Sequence, residues 1–79
     1  DEKKKQADEA AAAKKKAEEG KVAKARADNC ARARQEKTTL DSGVRIATTN
    51  AAGEREFMDD AARATETQRV QAIIESNCN

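Results

Sequence analysis

Two cysteines, Cys30 and Cys78, constrain this 79-residue chain more than any other feature. One lies inside a long charged run and the other is the penultimate residue, so a bond between them returns the C-terminus to the middle of the first helix. The pairing closes a loop of 49 residues. Chain entropy alone assigns such a closure about 4 kcal/mol of stabilisation. A chain this short is at most one small domain, and it has little to build a core from. With alanine set aside, its larger apolar side chains are Val22, Leu40, Val44, Ile46, Phe57, Met58, Val70, Ile73 and Ile74. Cores of that size rarely supply more than ~3–5 kcal/mol, which is why small folds usually carry a staple.

Other uses of the two thiols fit less well. There is no histidine in the chain, and two cysteines cannot complete the four-ligand set of an ordinary zinc site. Their separation of 48 residues is not the C-x-x-C spacing of a redox pair. A free pair packed as small hydrophobes and an intermolecular bridge through Cys78 are the remaining readings. An intramolecular disulfide implies an oxidising compartment, hence a periplasmic, secreted or surface-exposed protein. No run of eighteen apolar residues is present, so no helix is expected to span a membrane. The opening on Asp1 rather than methionine fits a mature or trimmed form, from which any signal peptide or upstream domain would already be missing.

Residues 1–41 read as helix, because Ala, Lys, Glu, Arg and Gln dominate them and lose little side-chain entropy there. Glu18/Lys14, Lys21/Glu18 and Arg32/Glu36 sit at supporting spacings, without a sustained ion-pair design. Residues 1–20 contain no large apolar side chain and end on Gly20, which costs about 1 kcal/mol relative to alanine within a helix. They are expected to form a charged, frayed helical or partly disordered linker, with a firm module over residues 21–79. Gly43 stands where a left-handed C-cap is wanted. Val44-Arg45-Ile46-Ala47-Thr48-Thr49 then alternates like a half-buried strand, Asn50-Ala51-Ala52-Gly53 supplies a turn, and Glu54-Arg55-Glu56-Phe57-Met58 returns. Pairing Thr49 with Glu54 would set Ile46 opposite Phe57. Asp59 or Asp60 caps a second helix over 61–78, whose apolar stripe holds Val70, Ile73, Ile74 and Cys78.

The stripe on the first helix is Ala23, Ala27, Cys30, Ala33, Lys37 and Leu40. Laid antiparallel with Cys30 beside Cys78, the two helices bring Ala33 near Ile74, Lys37 near Val70 or Gln71, and Leu40 near Thr67. The fold expected is mainly α with a small β component (α+β). It is an antiparallel two-helix hairpin with a small β-hairpin inserted between the helices, stapled by one disulfide.

Little in the chain carries chemistry. Ser42 and Ser76 have no base beside them in sequence, Asp59 and Asp60 sit where helix caps belong, and the glycines form no phosphate loop. These features argue against an enzyme and imply no cofactor and no metal. Charged residues make up 39% of the chain yet nearly cancel to +1. The lysine triplets Lys3–Lys5 and Lys14–Lys16 could meet phosphates or acidic lipid heads, which makes a polyanion-binding protein the alternative reading. Acidic residues interleave with them and no aromatic is available to stack on bases, so nucleic acid is disfavoured. Arg26, Arg32 and Arg34 flank Cys30 and read as the solvated back of the helix. If a partner docks, Ile46, Phe57 and Met58 are the surface to suspect, Phe57 being the sole aromatic.

Asn29-Cys30-Ala31-Arg32-Ala33-Arg34, then Leu40 to Ile46, Gly53 to Arg63 and the terminal Cys78, together form a pattern. It resembles the C-terminal segment of a family of uncharacterised proteobacterial periplasmic and envelope proteins. Members of that family begin with a signal peptide and a small N-terminal β domain, followed by a charged linker. The resemblance covers about residues 22–79, while residues 1–20 are similar in composition to the helical linkers of periplasm-spanning Tol-type proteins. It implies export, a Cys30–Cys78 pair, a fragment or shortened relative of that architecture, and no activity. The expected function is a non-enzymatic envelope interaction or structural module whose partner is another envelope protein.

Overall fold

A computed structural model describes all residues, 1–79. Four elements follow one another: α1 (Glu2–Asp41), β1 (Ala47–Thr49), β2 (Arg55–Phe57) and α2 (Asp60–Asn77). The 40 residues of α1 make a rod of about 60 Å at 1.5 Å per residue, which sets the long dimension of a 66 × 29 × 14 Å molecule. The Asp1 carboxylate accepts from the Lys3 N–H at 3.0 Å, supplying one of the partners that an α-helix lacks at its start. The rod runs unbroken through Gly20, where a Cβ would meet nothing within 4 Å.

The end of α1 is built as the glycine implied. Gly43 takes φ +74 and donates its N–H to the Leu40 carbonyl. Ser42 is the cap residue, and its hydroxyl donates to the Thr39 carbonyl at 2.6 Å while accepting from the Val44 N–H. At the start of α2, Asp59 is the N-cap, accepting from the Ala62 N–H at 2.7 Å, and Asp60 is the first helical residue. Its negative charge lies at the favourable, positive end of the helix dipole.

The two helices run antiparallel and are joined by the Cys30–Cys78 disulfide, with Cα atoms 5.0 Å apart. Ala33, Leu40 and Val70 form the whole fully buried core, and Ile46, Met58, Ile73 and Ile74 pack against it. The facing stripe on α1 therefore begins at Asn29 and Cys30 and continues through Ala33, Lys37 and Leu40. Ala23 and Ala27, expected on that stripe, are exposed because α2 ends at Asn77 and does not reach them. Every residue from 1 to 28 is exposed.

The hairpin departs from expectation by one residue. Ala47 pairs with Phe57, Thr48 with Glu56 and Thr49 with Arg55, so Ile46 stands opposite Met58 rather than Phe57. The cause is Asn50. Its backbone N–H donates to the Glu54 carbonyl, its carbonyl accepts from Gly53, and its side-chain oxygen accepts from the N–H groups of both Ala52 and Glu54. Asn50 thereby belongs to the ladder, and the loop shrinks to Ala51–Gly53 with Gly53 at φ +81. Three-residue hairpin loops with a left-handed last residue take this form. A one-residue slip exchanges the faces of a strand, so Ile46 and Met58 turn to the helices and Phe57 turns to solvent. The strands are also shorter than the alternating pattern, since β1 starts at Ala47 and residues 44–46 lie before it.

Candidate interaction surface

The hairpin brings together two surfaces of different character. Its outer face carries Ala47 and Phe57, with Phe57 54% exposed and the Arg45 guanidinium 3.7 Å from the ring centroid. A cation over an aromatic face at an exposed site is worth about 0.5–1 kcal/mol, which holds the ring in one place. Val44, between the α1 cap and β1, is a second exposed apolar side chain at 51%. On the inner face a groove of about 430 Å³ opens between the hairpin and the helices. Leu40, Ile46 and Met58 form its apolar floor, and Arg32, Glu36 and Glu66 stand on its rim.

Of the three residues expected to face a partner, Ile46 and Met58 are half-buried on the core and Phe57 alone projects outward. All three lie on one small element, but the ladder divides them between two faces.

Arg63 is a structural tie that sequence reasoning missed. From the first turns of α2 its guanidinium donates to the Leu40 carbonyl at 2.8 Å and the Val44 carbonyl at 2.5 Å. It thus ties the end of α1 and the start of the hairpin to α2 and fixes the platform on which Phe57 is displayed. Only its partners distinguish it from the other arginines, and both are backbone atoms distant in sequence. Arg26 also departs from expectation. It lies against α2 rather than on the solvated back, donating to the Ser76 carbonyl at 2.8 Å. A cation is favoured there by the negative end of the α2 dipole. Arg32 donates to Asn29 of its own helix.

Around the rim, Arg69 bridges Glu36 of α1 at 3.1 Å and Glu66 of its own helix. The hydrogen bond from Arg69 holds the Glu66 carboxyl below the usual carboxylate range, against a smaller opposing effect of desolvation. The same bond raises Arg69 above its ordinary value. Ser42 and Ser76 hydroxyls are bound to helix carbonyls, and Asp59 serves as the α2 cap. The arrangement suits contact with another macromolecule: one presented aromatic, an apolar groove behind it, and a charged rim. No family model, curated protein or solved structure matches this chain. No helix is long and apolar enough to cross a membrane, and the disulfide is compatible with an oxidising compartment.

Proposed function

We propose that the chain is a non-enzymatic interaction module of a bacterial envelope, in which a stapled docking end is carried on a helical arm formed by residues 1–28. The observation that carries this reading is Phe57. An aromatic left half-exposed on so polar a chain, held by Arg45 and supported by the Arg63 clamp, is the kind of group that anchors protein contacts. Its proposed partner is another envelope protein that covers Phe57 and Val44 and reaches toward the Leu40–Ile46–Met58 groove.

Two considerations support the compartment. A disulfide persists where thiols are not kept reduced, and a core of three buried residues leans heavily on such a staple. The arm would act as a spacer, since all of its residues are exposed and it sets the docking end tens of ångströms from Asp1.

The test is a photo-crosslinking residue placed at position 57 in the periplasm, with Phe57→Ala as competitor and with residues 1–20 deleted in parallel. Crosslinks should form, should survive high salt and should persist without residues 1–20. If Phe57→Ala binds as well as the parent while deletion of 1–20 or added salt abolishes binding, the lysine-rich arm is the binding element and the docking reading fails.

A further inference from the structure

The arm has an organisation that neither its composition nor the docking end explains. Counted from its alanine tract Ala10–Ala13, its charges are antisymmetric. Glu9 mirrors Lys14, Asp8 mirrors Lys15, Lys5 mirrors Glu18, Lys4 mirrors Glu19 and Glu2 mirrors Lys21. No position mirrors one of like charge; Asp1, Lys3 and Lys16 fall opposite Val22, Gly20 and Ala7. Within the chain these charges have no ion-pair partners, because the salt bridges formed are Lys37–Asp41, Arg69–Glu36 and Arg69–Glu66.

Helical geometry selects one face. At 3.6 residues per turn, Lys4, Asp8, Ala11, Ala12, Lys15 and Glu19 share an arc of about 100°. That arc continues into Cys30, Ala33, Lys37 and Leu40, the face that α1 turns to α2. Where α2 stops, Lys15, Glu19 and Val22 border the same concavity as Asn77 and Asn79. The arm therefore prolongs a helix-packing face that has lost its partner.

We propose that the occupant is the arm of a second copy of this chain, packed antiparallel about a two-fold axis through the Ala10–Ala13 tract. A two-fold interface requires that residue i meet j and j meet i. The antisymmetry supplies this, with Lys4 meeting the Glu19 position and Asp8 the Lys15 position of the other copy, each contact made twice. Ala11 and Ala12 at the axis let the backbones come close, at the short end of the 8–10 Å range of helix packing. A parallel pair in register sets every charge against its like. Exposed ion pairs contribute little each, so the dimer is a weak one that forms at high local concentration and weakens with salt. Its effect is to place two stapled docking ends at opposite ends of one rod.

Charge exchange in the full chain tests this. Sedimentation equilibrium of the parent should show monomer–dimer exchange that salt weakens. K4E/K15E makes the face wholly acidic and D8K/E19K makes it wholly basic. Each alone should weaken self-association roughly tenfold or more. An equimolar mixture restores every pair and should recover the dimer as a heterodimer, with helix content followed by circular dichroism throughout. Phe57→Ala should leave the equilibrium unchanged, which separates this result from the docking reading. A parent that stays monomeric at the highest attainable concentration overturns the proposal. So does a dimer that survives in both variants alone, or a mixture that fails to associate while both variants remain helical.

Discussion

One helix, α1, lives two lives. From Asn29 onward it is pinned by a disulfide, a three-residue core and the Arg69–Glu36 bridge; from Glu2 to Asp28 every side chain is exposed. Backbone geometry is common to both halves, so the difference lies in what they touch. The far half persists mainly on propensity, with alanine and long charged side chains that lose little on ordering, and hydrogen-bonds α2 only at its end, through Arg26. The near half is rich in arginine and threonine and is held by tertiary contact. Helical structure and folding stability are thus separable within a single element, and only the second depends on the cysteines.

The largest effect that would break this contrast is removal of the staple. Cys30→Ser or Cys78→Ser should cost the module about 4 kcal/mol by the loop-entropy model. That is comparable with everything so small a core supplies. Urea titration should show the cooperative transition lost or nearly so, while the helical signal of the arm remains. Intact mass of the parent, lighter by two hydrogens than its reduced form, checks that the bond is made.

Next comes the core. Val70 is 0% exposed and sits between Ala33 and Leu40, so Val70→Ala should cost about 2 kcal/mol. Val22→Ala, in the arm where Val22 is 58% exposed, should change stability by less than about 0.5 kcal/mol. Equal effects in thermal melts would erase the distinction between the halves. Arg63→Ala should follow at roughly 1–2 kcal/mol, for a charged donor lost from one part-buried and one exposed carbonyl. Arg34→Ala serves as the neutral comparison. Gly20→Ala should act on the arm alone, adding about 1 kcal/mol to its helical propensity and raising far-ultraviolet ellipticity without moving the module's transition.

The smallest effect is in pH. Glu66 titrates lower in the folded chain than in the unfolded one because Arg69 binds its charged form. A depressed carboxylate contributes stability that is fully present above its unfolded value, about 4.3. That contribution fades as pH falls through the lower folded value. Glu66→Gln should remove that part of the acid sensitivity and leave stability near neutral pH only slightly reduced, as followed by melts across the acid range.

How much of this was legible beforehand depends on whether a feature is written locally or at a distance. Gly43 past the last helical turn, Asp59 before the second helix and the matching stripes around Cys30 and Cys78 are local signals, and the structure bears them out. The hairpin register differs from the expected one because Asn50 has the composition of a turn residue. Its side-chain oxygen, accepting from two backbone N–H groups, is what makes it the last rung of the ladder instead. That one slip separates Phe57 from Ile46, pairs it with Ala47 and leaves it, of the three suspected residues, the one turned to solvent. Arg63 and Arg26 were illegible for another reason: their partners are carbonyls 19 to 50 residues away, and no composition or spacing announces a backbone acceptor. The antisymmetric arm charges are written in the sequence itself but carry meaning only once the structure shows that their face has no partner.

Amide hydrogen exchange followed by mass spectrometry, on oxidised and reduced chain at a dilution where arms do not associate, tests the central claim most directly. Oxidised chain should protect amides of residues 29–78 and leave those of the arm exchanging fast. Reduction should abolish the first and leave the second unchanged. Protection over residues 29–78 that survives reduction would contradict the account, since the module would then stand without its staple. Strong protection of the arm in the dilute monomer would contradict it equally.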